Sequence, residues 1–97
     1  MPQDTRSPCS ERPRERLLRH GAQALTSAEL LAVLLRTGTR GRSAVDMGRR
    51  MIEHFGGLRR LLAAESSAWL AFPGMGAAKT CELLAVQELS RRAIEEP

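Results

Sequence analysis

Apolar residues fall along this chain in short clusters at helical spacing, divided by glycine, proline and serine. The longest cluster, Leu30-Leu31-Ala32-Val33-Leu34-Leu35, is apolar nearly all round and predicts a buried central helix over 27–36. Thr26 or Ser27 caps it, with Glu29 three residues after Thr26 as in a capping box. Before it, Ser10 can cap a helix over 12–20 that carries Pro13 in its first turn and ends at Gly21. Leu17 and Leu18 are its only strong core residues. After it, Ser43 can cap a helix over 44–54, with Val45, Met47 or Gly48, Met51, Ile52 and Phe55 as its core face. Gly48 in mid-helix costs about 1 kcal/mol relative to Ala, a cost that often marks close contact with another helix.

Gly56-Gly57 then breaks the chain, and Leu58–Ala63 gives one or two helical turns with leucines on one side and arginines on the other. Ser66 or Ser67 caps a short helix over 66–71, stopped at Pro73. Trp69, Leu70 and Phe72 are expected to knit this connector to the core. A base-stacking Trp69 is the rival, less favoured in so aromatic-poor a chain. A last helix over 77–93 carries the stripe Leu83, Leu84, Val86, Leu89 and Ala93, with Arg91-Arg92 at its negative end and Glu88 four residues before Arg92.

Between these last two helices lies Phe72-Pro73-Gly74-Met75-Gly76, a Gly-x-Gly bend that opens a helix. Such a bend leaves backbone N–H groups unpaired at the positive end of the helix dipole, which is an anion site made without side chains. A dinucleotide fingerprint would need a strand before the bend and a third glycine three residues on, where Lys79 stands. A Walker A loop would need Gly-Lys-Ser/Thr, which is absent. The plain alternative is a structural turn with Met75 plugging the core. The earlier loop Thr37-Gly38-Thr39-Arg40-Gly41-Arg42 has its glycines three apart and is a degenerate counterpart. Helix–loop–helix therefore occurs twice, behind one extra N-terminal helix: a tandem helix-hairpin-helix order in an all-α, five- to six-helix domain.

Composition narrows the chemistry. With 97 residues, 42% hydrophobic and 3% aromatic, the chain makes one small domain cored by Leu, Ala, Val and Met. Residues 1–10 read as a flexible leader and 11–94 as the domain. Residues 12–60 hold 11 Arg against four acids, or +7; residues 61–97 hold three basic residues against five acids, or −2. The basic half is thus not the half with the better hairpin. Cys9 and Cys81 have neither metal-ligand nor CxxC spacing, and no apolar run approaches 18 residues. A soluble, cytoplasmic chain with no cofactor and no membrane partner is expected. His20 and His54 each stand at a helix end before glycine and are assigned no chemistry.

Arg12-Pro13-Arg14-Glu15-Arg16-Leu17-Leu18, Ala28–Thr39, Phe55-Gly56-Gly57-Leu58 and Pro73–Lys79, in this order, resemble the N-terminal domain of bacterial RadC-family proteins. The resemblance covers about residues 11–93 and implies SAM-like, RuvA C-terminal-like helical packing and a DNA-repair setting. It also implies a following JAMM-type zinc metallohydrolase domain with a His-x-His ligand set. That motif is not in this chain, so the chain itself is expected to be no enzyme. Ala77, at a place often held by Pro, and Thr80, at one usually small and apolar, depart from the usual hairpin pattern.

Two functions follow as expectations. The first is sequence-nonspecific DNA binding through Gly74, Met75, Gly76, Ala77, Ala78 and Lys79, with Thr39, Arg40 and Arg42 of the first loop reaching the facing strand. The second is a docking or positioning domain for the hydrolase part, favoured by the acidic balance around the better hairpin.

Overall fold

The computed structural model describes residues 12–35 and 41–97, the side chains of residues 41–43 excepted. Among these residues all regular structure is helical: α1 (Pro13–His20), a 3₁₀ turn (Ala22–Ala24), α2 (Ser27–Leu35), α3 (Gly41–Phe55), α4 (Leu58–Ala63), α5 (Ser66–Leu70) and α6 (Ala77–Glu95). The all-α class therefore holds. The leader over 1–10 lies outside the described residues. The chain divides into two units, residues 1–50 and 51–97, with α3 running through the division.

In the first unit, α1 starts on Pro13, whose fixed φ suits a first helical turn. Its N-cap is Arg12 rather than Ser10, and the Arg12 N–H donates to Glu15 Oε1 at 3.3 Å. Gly21 ends the helix at φ 87, donating its N–H to the Leu17 carbonyl at 2.9 Å. Leu18 does not join the core: it is 84% exposed. Adjacent helical residues point about 100° apart, and the inward direction is taken by buried Pro13 and, four residues on, half-buried Leu17.

The capping box of α2 forms as expected. The Glu29 N–H donates to Thr26 Oγ1 at 3.1 Å, and the Thr26 N–H donates to Glu29 Oε1 at 2.8 Å. The other carboxylate oxygen of Glu29 meets Arg16 Nε at 3.1 Å, so one side chain both caps α2 and ties it to α1. Leu31, Ala32 and Leu35 are buried, whereas Leu30 keeps 38% exposure, so α2 buries a stripe and not its whole circumference. The next helix begins at Gly41, ahead of Ser43, so Gly41 and Arg42 belong to α3 and not to a loop. Serine is accepted within a first helical turn as well as at its cap, so it does not fix the boundary. Ala44, Met47 and Gly48 bury the inner side of this first part of α3. Gly48 is there for want of room: a Cβ on it would stand 2.8 Å from the Ala28 carbonyl oxygen and 3.3 Å from Leu31 Cβ.

The second unit opens on the last turn of α3, where Met51 is fully buried. Gly56 and Gly57, at φ 88 and 134, turn the chain into α4. There Leu61 is fully buried while Arg59 and Arg60 are exposed. Trp69 is also fully buried, and its indole N–H donates to the Leu61 carbonyl at 3.0 Å, so it is a packing residue and not a stacking platform. Leu70 is 50% exposed and joins no core, because the single turn of α5 has one inward position and Trp69 holds it.

α6 packs on α4 and α5 through Thr80 and Leu83. Gln87 closes this contact by donating from Nε2 to the Leu62 carbonyl at 2.6 Å. Beyond it the expected stripe fails: Leu89 is 66% exposed and Ala93 is exposed as well, since the short α4 and α5 do not reach the distal turns. The helix nevertheless runs on to Glu95.

Thr80 is 3% exposed and its hydroxyl has no hydrogen-bond partner among the described residues. Thr80→Val removes that buried polar atom at unchanged branching, and urea unfolding should show a gain of about 1 kcal/mol. A loss of similar size would mean that the hydroxyl is bonded.

Candidate functional site

The bend between α5 and α6 is built from residue types that leave little choice of conformation. The Ala71 and Phe72 N–H groups finish α5 on the carbonyls of Ser67 and Trp69, at 3.1 and 3.0 Å. Pro73 then occupies the second position of a four-residue turn and Gly74 the third, at φ 93, and the Met75 N–H donates to the Phe72 carbonyl at 3.1 Å. Proline followed by a positive-φ glycine is the signature of a type II turn, in which only glycine is unstrained at the third place. Two side chains anchor the bend. Met75 is buried beneath it, and the Phe72 ring meets the His54 ring edge-on, with centroids 5.4 Å apart. His54 packs the same way on Phe55, at 4.9 Å.

After Met75 the donors run out of acceptors. Gly76 is extended (φ −117, ψ −173), its carbonyl takes the Thr80 N–H at 3.0 Å, and no side chain caps the helix. Among the described residues nothing accepts from the N–H groups of Gly74, Gly76, Ala77, Ala78 or Lys79. Gly74, Gly76, Ala77 and Ala78 are exposed and Lys79 is half-buried. The result is a shallow row of bare amides at the positive end of a 19-residue helix.

The two glycines do different things. Gly74 is demanded by its backbone angle. Gly76 is not, and a Cβ placed on it would meet nothing within 4 Å. What Gly76 provides is a bare approach from solvent.

The expected site residues sort accordingly. Gly74, Gly76, Ala77, Ala78 and Lys79 lie together at the bend. Met75 belongs to it as a plug, since its side chain is buried and its N–H is taken. Thr39, Arg40 and the side chain of Arg42 lie outside the described residues. Elsewhere in the first unit Arg49 and Arg50 are held by Asp46, at 2.9 and 3.1 Å, and Arg16 by Glu29.

Sequence reasoning passed over Arg59 and Arg60 as phosphate contacts. Both are exposed, without an acidic partner among the described residues, and in the same unit as the bend. Their signal was present: two adjacent arginines opposite the leucine side of a very short helix. Among the described residues no three His, Cys, Asp or Glu side chains gather as metal ligands, and no helix is long and apolar enough to cross a membrane.

Comparison with known proteins places these features. A UPF0758 protein of Bordetella petrii is 56% identical over 96 residues, covering 99% of this chain and 43% of its own length. Its counterparts in Aromatoleum aromaticum and Nitrosospira multiformis are 55% and 53% identical over 89 residues, each covering 92% of this chain and 40% of their own length. The chain thus spans about two-fifths of these relatives. No solved structure matches it. The family model described as UPF0758 N-terminal matches residues 5–81, well over half of the chain, and this protein belongs to that family.

Proposed function

We propose that this domain binds DNA without regard to sequence, by backbone amides and cations, and does no chemistry of its own. The row of unpaired N–H groups from Gly76 to Lys79, exposed but for half-buried Lys79, carries this reading, because such a row suits an anionic oxygen such as a phosphate's. In this reading α5, the bend and α6 act as a helix-hairpin-helix. Gly74 shapes the bend, and Gly76, Ala77 and Ala78 hold a phosphate with Lys79 beside it. Arg59 and Arg60 add charge from the same unit, and Arg40 and Arg42 serve the facing strand. Thr39 flanks them.

With three to five phosphates neutralised, log K falls against log salt with a slope of roughly −3 to −4.5, and dissociation constants fall at about 10⁻⁴ to 10⁻⁶ M. Titrating a labelled duplex at two salt concentrations measures both. Gly76→Glu places a carboxylate at the amide row in open space, so it should weaken binding about tenfold or more at an unchanged thermal midpoint. No binding at ~100 μM, or unaltered binding by Gly76→Glu, would remove the hairpin from the account.

A second reading is favoured by the uncovered distal half of α6: the domain positions the rest of the longer protein. The RadC resemblance gives that part a JAMM-type hydrolase domain. The two readings are compatible, since they use opposite ends of one helix.

A further inference from the structure

The last three turns of α6 have a sidedness that the rest of the unit does not use. Ala85, Val86, Leu89, Ser90, Ala93 and Ile94 form adjacent pairs four residues apart, which is the spacing of one broad helix face. The intervening residues Glu88, Arg91, Arg92 and Glu95 occupy the other side and close their charges on one another. Glu88 meets Arg91 at 2.7 Å and Arg92 at 2.8 Å, and Arg91 meets Glu95 at 3.0 Å. The Glu88 carboxyl is correspondingly lowered to about 2, first by the Arg91 hydrogen bond and then by that from Arg92. A back so fully paired needs no external partner. Among the described residues the front is left largely uncovered: Leu89 is 66% and Ile94 84% exposed, Ala85 and Ala93 are exposed, and only Val86 is half-buried.

Nor is this front a prolongation of the face that packs on α4 and α5. That face runs Thr80, Leu83, Gln87, and of the front only Ser90 and Ile94 continue its line; Leu89 and Ala93 are turned well away from it.

We infer that the Ala85–Ile94 front of α6 is a docking surface, and that its occupant is the remainder of the longer polypeptide. This gives a definite surface to the positioning reading above and rests on it. The relatives are more than twice the length of the matched region, and the family model names that region N-terminal, so a large body of protein follows it in them. The occupant presents an apolar groove to one amphipathic helix, with no charged rim required, because the charges of Glu88, Arg91, Arg92 and Glu95 on the distal turns are already spent on each other.

The test uses this 97-residue chain and a chimera in which it replaces the matched 96 residues of the Bordetella petrii relative. Amide exchange over residues 85–95 should be at least tenfold slower in the chimera than in the chain alone, and Leu89→Gln with Ile94→Gln should abolish the difference. Both substitutions are at exposed positions and keep a good helix former, so duplex binding by the hairpin should be unchanged. Protection elsewhere in the domain but not over 85–95 overturns this surface and leaves the positioning reading standing. Equal exchange throughout overturns both. Concentration-dependent protection in the chain alone, with a doubled mass, assigns the front to a second copy and overturns the proposed occupant.

Discussion

Trp69→Ala should cost about 3–5 kcal/mol, the usual range for emptying a buried aromatic site. Three observations set the size. The side chain is fully buried, its indole N–H satisfies the Leu61 carbonyl, and it is the only inward residue of a helix one turn long. Removing it opens a cavity and takes away one of the two donors to the Leu61 carbonyl, which keeps only the Ala64 N–H at 3.2 Å, and α5 has no second anchor with which to close the gap. A domain of this size has about 5–15 kcal/mol in all, so the variant should melt on the order of 20 °C lower. Circular dichroism in urea and on heating would measure it. Trp69→Phe keeps most of the volume and loses the hydrogen bond, and should cost about 1–2 kcal/mol. A change below about 1 kcal/mol for the alanine variant would contradict a packed tryptophan.

Gly48→Ala should destabilise the first unit, although helix propensity alone favours alanine by about 1 kcal/mol. The added methyl would stand 2.8 Å from the Ala28 carbonyl oxygen, which is backbone and cannot swing aside. Moving α2 off α3 to make room costs about 1–3 kcal/mol in a packed interior, so after the propensity gain the net loss is up to about 2 kcal/mol. The sign is the informative part. A rise in the melting midpoint would mean that α2 and α3 do not approach at this glycine.

These two residues also show what could be read from the chain and what could not. A glycine in mid-helix announces a close approach, and a single tryptophan in an aromatic-poor chain announces a packing role, because each is costly anywhere else. The Thr26–Glu29 box was legible for a related reason: its partners are three residues apart and need no tertiary information. Burial along α1 and α6 was harder. Leu18 and Leu89 are as apolar as their buried neighbours, and only the length of the facing elements decides that they stay in solvent. Where a helix starts is set by a turn that several residues can satisfy, so Ser43 was a poor guide to α3 and Ser10 to α1.

At the candidate site the division is similar. Pro73-Gly74 dictates its own turn, and the absence of a capping side chain before Ala77 is visible in the letters. That Met75 spends its N–H inside the bend, and that Gly76 is not sterically required, depends on three-dimensional surroundings. Which arginines are available is likewise a matter of neighbours: Arg49 and Arg50 share an aspartate, and Arg59 and Arg60 do not.

The grip proposed at the bend is made from main-chain atoms, and two of the positions that would supply it are already alanine. Conventional scanning mutagenesis would therefore pass over Ala77 and Ala78 without a signal, and drift at either could exchange the residue while the ligand noticed nothing. Replacing the peptide linkage itself by an ester at those two places, through chemical ligation, deletes the donors one at a time while every side chain stays as it was.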